Sequence, residues 1–272
     1  MYNLLKAGFF RLKKDIIFWL FLFITIGISV FSLIRIGGDQ PNADLSRYIN
    51  EFIMYIGLLI SIFVSIFVGK EYSEGIIRNK VIVGHKRRNI YLANLIISII
   101  VSLICEFIYV VLILLVYGSK FGGIQALGTS LSEIIVRIVD TILVIIAFCS
   151  IFNFITMICR EITISTTICT LLFIALFIAQ AAFSLTANET PYLKEIDQNG
   201  NIIITEDQNP TYPGDFKVKT AKVFYLLNPE GQAMELGGKG TSFLYYMPMY
   251  STGLILVINV IGVILFDRKE LK

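Results

Sequence analysis

The sequence predicts an all-α integral membrane protein with six transmembrane helices, an N-terminal amphipathic interfacial helix and a small outer insert between helices 5 and 6. Of the 272 residues, 56% are hydrophobic and only 16% are charged, whereas a soluble domain carries about 25% charged residues. This composition excludes a soluble globular domain, a disordered chain and a disulfide scaffold. The net charge of +3 is too small to indicate a nucleic-acid partner.

Six runs of nearly uncharged residues are each long enough to cross a bilayer, which takes about 20 residues for about 30 Å of hydrocarbon. The runs show no period-2 alternation, so we expect helices rather than barrel strands. The first run is longer than the core of a signal peptide and lacks a small-residue cleavage site, so we expect it to be retained. The predicted spans are 16–34, 52–69, 91–119, 141–159, 162–188 and 241–266.

The distribution of Lys and Arg predicts the orientation of the chain. An even number of spans places both termini on one side, and the segments on that side carry 14 Lys and Arg. The opposite segments before the last loop carry 4. Because basic residues concentrate in cytoplasmic segments, we expect both termini to be cytoplasmic.

The first fifteen residues have an amphipathic pattern. Such a helix can lie in the membrane interface with its lysines toward the phosphates; the alternative is a basic flank that only sets topology. The apolar face holds Leu4, Leu5, Phe9, Leu12 and Ile16, and the basic face holds Lys6, Lys13 and Lys14.

The largest predicted cytoplasmic loop, 70–91, combines basic residues with an apolar patch. Its first half is polar and is interrupted by Gly75, and Val81, Ile82 and Val83 then precede Gly84. An apolar patch has no use in a loop that only faces water. We therefore interpret it as a surface that docks on another protein.

The segment 188–245 is the predicted outer insert. Residues 197–201 have the composition of a turn and precede a short apolar run at 202–205, which predicts a strand. Residues 226–233 contain Asn228-Pro229 and predict a turn into a short helix. We expect a small folded element rather than a flexible linker.

Polar residues recur every fourth position in the third span, at Asn94, Ser98, Ser102 and Glu106. A charge near mid-membrane costs about 2.5–3.5 kcal/mol on insertion scales, so Glu106 should face protein or a cavity. Two interpretations stay open: a translocation path or gate, and ordinary hydrogen bonding between helices. Arg137 and Asp140, three residues apart, predict a local ion pair in the fourth span.

The chain contains no catalytic motif. The string nearest to a phosphate-binding loop, 123–130, lacks the required lysine. His85 is the single histidine, which excludes a histidine-rich metal site. The four cysteines have no CxxC spacing and are interpreted as packing residues. We expect no enzyme activity and no bound cofactor or metal in this chain.

Three of these features together resemble the ABC-2-type permeases, the membrane subunits of ATP-binding-cassette exporters. The basic start at 4–14 resembles the family's interfacial elbow helix. The stretch 71–87, EYSEGIIRNKVIVGHKR, is similar to the segment that follows the second span in bacterial members. The Asn228-Pro229 turn is similar to the family's outer region before the sixth span.

The resemblance implies a single transmembrane domain over residues 1–272 in a bacterial plasma membrane, with 1–15 as elbow helix and 70–91 as coupling loop. It implies an ATPase subunit that binds ATP and Mg, and a second permease that is identical or homologous. Amphipathic peptides or antimicrobial compounds are the cargo suggested by analogy, in peptide or toxin export or in self-immunity. An ion-coupled secondary transporter that uses Glu106 is the alternative.

Two sets of candidate site residues follow. The set assigned to ATPase coupling consists of Glu71, Glu74, Arg78, Gly84, His85, Lys86, Arg87, Arg88 and Tyr91. The set assigned to the translocation path or gate consists of Asn94, Ser98, Ser102 and Glu106.

Overall fold

A computed structural model describes residues 1–38, 51–121, 131–159, 161–196, 202–237 and 243–269. Within these ranges the chain forms ten helices and one two-stranded antiparallel hairpin. The elements are α1 Tyr2–Lys14, α2 Ile16–Gly38, α3 Ile53–Ser73, α4 Ile76–Ile82, α5 Arg87–Phe121, α6 Leu131–Ile158, α7 Ile162–Ala187, β1 Tyr192–Ile196, β2 Ile202–Gln208, α8 Asp215–Leu227, α9 Pro229–Gly237 and α10 Met247–Arg268.

Six of these helices, α2, α3, α5, α6, α7 and α10, are long and apolar enough to cross a membrane. The six predicted spans are therefore confirmed as helices, and the two largest differences in their bounds are at the starts of α6 and α10. Helix α6 begins at Leu131, ten residues before the predicted span, because charged residues in its first turns do not interrupt backbone hydrogen bonding. Helix α10 begins at Met247, with Pro248 in its first turn, a position that proline favours.

Helices α3 and α6 form the centre of the bundle. The apolar window of α3 is 61% buried inside the chain, whereas those of α7 and α10 are each 17% buried. Helix α3 packs on α6 and α7, and α6 also packs on α5 and α10. Gly57 permits the close approach, because a Cβ there would lie 2.7 Å from the Phe173 ring and 2.9 Å from the Phe148 ring.

The two ends of the bundle carry different elements. We call the end with the α3–α5 connection the loop end, and the end with α8 and α9 the insert end. At the loop end, Gly75 (φ +67°) and Gly84 (φ +96°) flank α4, and both adopt the left-handed region that glycine tolerates. The predicted break at Gly75 and stop at Gly84 are confirmed.

Helix α1 is confirmed as a helix and lies against α5. Leu4 and Leu12 are buried there, and a Cβ at Gly8 would overlap the Ile97 side chain at 2.2 Å. The chain turns into α2 at Asp15, whose Oδ1 accepts a hydrogen bond from the Ile17 N–H at 3.1 Å. An N-cap of this kind satisfies one free donor of the next helix.

The segment predicted as an outer insert is folded, and part of it lies among the spans. The predicted strand and the helix after Asn228 are confirmed as β2 and α9, while the predicted turn at 197–201 lies outside the described residues. Helix α8 packs along α7, and α9 packs between α3, α6 and α7. The Asn228 amide donates to the Leu176 carbonyl at 2.7 Å, so this helix pair reaches the middle of α7.

Candidate functional site

A buried carboxylate joins four elements at the loop end. Glu71, in the last turns of α3, is 1% exposed. Its Oε1 forms an ion pair with Arg11 Nη1 of α1 at 2.9 Å and accepts a hydrogen bond from Lys80 Nζ of α4. Its Oε2 accepts from Asn94 Nδ2 of α5 at 2.7 Å. Glu71 therefore ties α1, α3, α4 and α5 together, and we call Glu71, Arg11, Lys80 and Asn94 the Glu71 hub.

A second ion pair lies beside the hub. Lys70 Nζ donates to the two carboxylate oxygens of Asp15 at 2.9 and 3.2 Å. Arg11 also donates to the Phe67 carbonyl at 3.1 Å, and its guanidinium lies 4.1 Å from the centre of the Phe67 ring. The ion pair and the ring contact thus attach α1 and the turn that follows it to the last turns of α3, at the loop end.

The tip of the loop is apolar and open. Ile82, the last residue of α4, is 74% exposed, and Val83, between it and Gly84, is 78% exposed. We call Ile82, Val83 and Gly84 the loop tip. Of the predicted coupling residues, His85 is half-buried, and five are exposed: Glu74, Arg78, Gly84, Lys86 and Arg88.

Three other predicted coupling residues hold the loop instead of facing outward. Glu71 is buried in the hub. Arg87 Nη1 donates to the Asp267 carbonyl at 3.2 Å and to the Lys269 carbonyl, which joins the start of α5 to the end of α10. Tyr91 is fully buried against Gly262 and donates to Asn259 Oδ1 at 3.3 Å. In this conformation Glu71, Arg87 and Tyr91 hold the loop in position, and their assignment to ATPase coupling stays a prediction.

The predicted polar stripe on α5 is buried along its whole length. Ser98 Oγ donates to the Asn94 carbonyl and Ser102 Oγ to the Ser98 carbonyl, each at 2.9 Å. These hydroxyls are satisfied within their own helix, and Ser102 Oγ also lies 3.6 Å from Cys149 Sγ of α6. The assignment of the two serines to a path or gate stays a prediction. Asn94 belongs to the Glu71 hub, so the stripe and the loop meet at one residue.

The sequence places Glu106 near the middle of the third span, and the structure places it nearer the insert end. It is at the middle of the 35-residue α5. However, Tyr109, three residues further on, stacks on Phe52 with ring centres 4.9 Å apart, and Phe52 immediately precedes α3. Glu106 is 7% exposed, and its Oε2 has no hydrogen-bond partner among the described residues. Its assignment to a path or gate stays a prediction.

The sequence-based interpretation missed a buried carboxylate at the insert end. Glu230, in the first turn of α9, is fully buried, and neither of its carboxylate oxygens has a hydrogen-bond partner in the described part of the chain. Burial raises the pKa of Glu230 to about 8. The available signal was an acid directly after the Asn228-Pro229 turn, in a segment that looked water-exposed.

The charges of Arg137 and Asp140 interact, as the predicted local ion pair requires, but no hydrogen bond joins the two side chains. Arg137 Nη1 donates to the Leu236 carbonyl of α9 at 3.2 Å. The two Asp140 carboxylate oxygens are buried and accept no hydrogen bond from the described residues. Arg137 thus connects α6 to the end of α9, because the arrival of α9 offers it a buried carbonyl.

No group of three or more His, Cys, Asp or Glu side chains within the described ranges is placed to hold a metal ion. The four cysteines are free, and three of them are buried.

The fold defines the class of protein: an all-α, multi-pass membrane protein with six candidate membrane-spanning helices. No family model matches the chain, and no curated protein matches it.

Proposed function

We propose that the chain is the membrane subunit of an ABC exporter of the ABC-2 type, and that a separate ATPase subunit drives it through the loop tip. In this proposal the chain lies in a bacterial plasma membrane with both termini cytoplasmic and forms the translocation path with a second permease. ATP and Mg bind the ATPase, and this chain catalyses no reaction. The observation that carries the proposal is an exposed apolar tip on a loop whose base is fixed by a buried ion-pair hub.

The chemistry of the loop tip supports a protein partner. Fully burying a Val or Ile side chain contributes about 1.5–3 kcal/mol, so covering Ile82 and Val83 gives a docking partner a substantial anchor. Basic residues surround this anchor, with Arg78, Lys86 and Arg88 all exposed. The matching surface is an apolar groove with an acidic rim.

The hub supports transmission from the docked loop to the bundle. Lys80 lies on α4, close to the loop tip, and its partner Glu71 also binds Arg11 of α1 and Asn94 of α5. A displacement of α4 is therefore passed to two other helices through one carboxylate. Breaking a buried ion pair costs about 3–5 kcal/mol, so these elements are expected to move together.

Photo-crosslinking tests the docking surface directly. The chain is expressed with the products of its neighbouring genes, and a photo-reactive benzoylphenylalanine replaces Val83. We expect mass spectrometry of the adduct to identify a protein with a Walker A loop. Val83→Asp should abolish co-purification of that ATPase without changing the elution profile of the chain.

The matched control places the same photo-reactive group at Leu185, which is 76% exposed near the insert end of α7. No ATPase adduct is expected from Leu185. The proposal would be refuted by an actively transporting assembly in which the photo-reactive group at position 83 forms no adduct with an ATPase.

A second candidate function, an ion-coupled secondary transporter, is favoured by one observation, the Glu106 Oε2 without a hydrogen-bond partner among the described residues. It requires proton- or sodium-driven flux in liposomes that contain this chain and no ATPase. Glu106→Gln should then abolish the flux, while Ser102→Ala should preserve it. Absence of flux under both gradients would remove this alternative.

A further inference from the structure

The more exposed side of α1 forms an open groove of about 470 Å³, and two of its lining residues, Leu5 and Phe9, also pack against the buried core. Its lining residues lie at positions 2, 5, 6, 9, 10 and 13, which form one stripe along a helix because residues three and four apart are neighbours. The opposite side of the helix holds Leu4 and Leu12, which pack on α5. The lining side chains are Tyr2, Leu5, Lys6, Phe9, Phe10 and Lys13.

The groove is cationic and its lysines carry no counter-charge. The first fourteen residues contain four basic side chains and no acidic one. Arg11 is engaged by Glu71, and the Lys14 ammonium lies 4.3 Å from the centre of the Phe10 ring. Lys6 and Lys13 are exposed and form no salt bridge within the described residues. Lys6 and Lys13 are seven positions apart, which is about 10 Å along a helix.

Aromatic side chains of the interfacial type surround the groove. Tyr2 is 75% exposed, Phe10 is 62% exposed and Trp19 is 57% exposed. The Trp19 indole N–H donates to the Lys13 carbonyl at 3.0 Å, which fixes the tryptophan beside the end of the groove. Trp and Tyr concentrate at the boundary between hydrocarbon and headgroups. Tyr2 and Trp19 beside the groove are residue types of this boundary, which supports a position of the groove at headgroup level.

We propose that this groove is a binding site for an anionic phospholipid. Lys6 and Lys13 donate hydrogen bonds to the phosphodiester and headgroup oxygens. Leu5 and Phe9, half-buried between the two lysines, contact the glycerol and the first carbons of the acyl chains. The site needs both the lysines and the apolar side chains, because long basic side chains reach the phosphate while their apolar stems lie along the lipid.

The charge of the groove selects for a lipid with net negative charge. A zwitterionic headgroup brings its own cation toward the lysines and cancels the attraction of its phosphate. An anionic headgroup has no such cation, and a Lys or Arg near an anionic surface contributes about 1 kcal/mol. That energy equals about a fivefold change in affinity for each lysine.

The only tryptophan of the chain, Trp19, serves as a built-in reporter for this site. Bromine on an acyl chain quenches tryptophan fluorescence on contact. The purified full-length protein is titrated in detergent with brominated phosphatidylglycerol and, separately, with brominated phosphatidylcholine. We expect saturable quenching at lower concentration with phosphatidylglycerol.

Two substitutions and one matched control test the lysines. Lys6→Gln and Lys13→Gln should each lower the apparent affinity for phosphatidylglycerol about fivefold and leave that for phosphatidylcholine unchanged. Lys14→Gln removes the same charge from the same helix outside the groove and should leave the preference intact. All three side chains are exposed, so an unchanged elution profile and tryptophan emission maximum are expected.

Two results would overturn the proposal. Equal quenching of the wild-type protein by both lipids would show that the groove has no preference for negative charge. Equal losses in Lys6→Gln, Lys13→Gln and Lys14→Gln would show diffuse attraction by the whole helix rather than a site. Neither result bears on the ATPase, so this proposal stands or falls independently of the proposed function.

Discussion

Glu71 at the loop end and Glu230 at the insert end are both buried, and the structure treats these two carboxylates in opposite ways. At the loop end, Glu71 has two cations and one amide as partners. At the insert end, Glu230 is fully buried, and neither of its carboxylate oxygens has a hydrogen-bond partner in the described part of the chain. A buried carboxylate is tolerated when it is paired or when it is protonated. The loop end uses pairing, and the insert end is suited to protonation.

This difference separates a fixed end from an adjustable one. The Glu71 hub connects four elements through charge, and its loss leaves two cations without their partner. Helix α9 is held by side-chain hydrogen bonds to carbonyls, from Asn228 to Leu176, from Gln232 to Leu226 and from Arg137 to Leu236. Glu230, the buried acid of α9, destabilises the folded chain when it is ionised. The loop end should therefore depend on ion pairs, and the insert end on pH.

The largest expected effect is loss of the hub. Glu71→Gln should lower the free energy of unfolding by about 3 kcal/mol, the lower end of the range for a broken buried ion pair, because Arg11 and Lys80 are partly exposed. Thermal denaturation in detergent, followed by size-exclusion chromatography, measures this loss of stability. Glu230→Gln is the matched control at the other end and should leave stability at neutral pH unchanged or higher. Equal losses in the two variants would contradict the comparison.

The pH dependence of stability should come from the insert end. The pKa of Glu230 is raised by burial from 4.5 to about 8, so the unfolded chain releases this proton at lower pH than the folded chain does. The contribution of Glu230 to stability is therefore highest below about pH 4.5, falls as the pH rises to about 8, and is constant above that value. The difference in melting temperature between the wild-type protein and Glu230→Gln should fall in the same way as the pH rises across this range. A flat difference would show that Glu230 does not titrate there.

A smaller effect is expected where α8 and α9 meet. A Cβ at Gly231 would lie 2.3 Å from the Tyr225 carbonyl oxygen, and backbone cannot move aside as a side chain can. Gly231→Ala should therefore lower stability by about 1–3 kcal/mol. Gly253→Ala, in α10 where nothing lies within 4 Å of the added carbon, should be neutral or stabilising by up to about 1 kcal/mol. Comparable melting temperatures for both variants would place α9 further from α8 than described.

The smallest effect is expected at the loop tip. Val83→Ser should change stability by less than about 0.5 kcal/mol, because the side chain is 78% exposed. Ile77→Ser, on the same helix but 1% exposed, should destabilise the chain clearly. Thermal denaturation of both variants makes the comparison. A large loss in Val83→Ser would mean that the tip is already covered within this chain.

Much of the fold followed from local pattern. The six spans, the helix at the start of the chain, the breaks at Gly75 and Gly84 and the strand at 202–205 all depend on hydrophobic runs and on glycine and turn residues. Each is confirmed by the secondary structure. The early start of α6 was missed because a charge-free run is a stricter criterion than a helix requires.

The placement of individual side chains did not follow from local pattern. Position in the loop assigned Glu71, Arg87 and Tyr91 to ATPase coupling but did not reveal that they are buried or bonded to other parts of the chain. The charge spacing of Arg137 and Asp140 predicted a pair, and the arrival of α9 gave Arg137 a carbonyl from a residue 99 positions away.

The amino-acid sequence by itself determined that the chain is a six-span helical membrane protein with a basic N-terminal helix and an apolar loop tip, because hydrophobicity and glycine act over a few residues. Only the tertiary structure decided that Glu71 unites four elements and that Glu230 is buried among the spans. These outcomes depend on which distant helices meet, and the cost of burying a charge is set by neighbours that sequence spacing does not reveal.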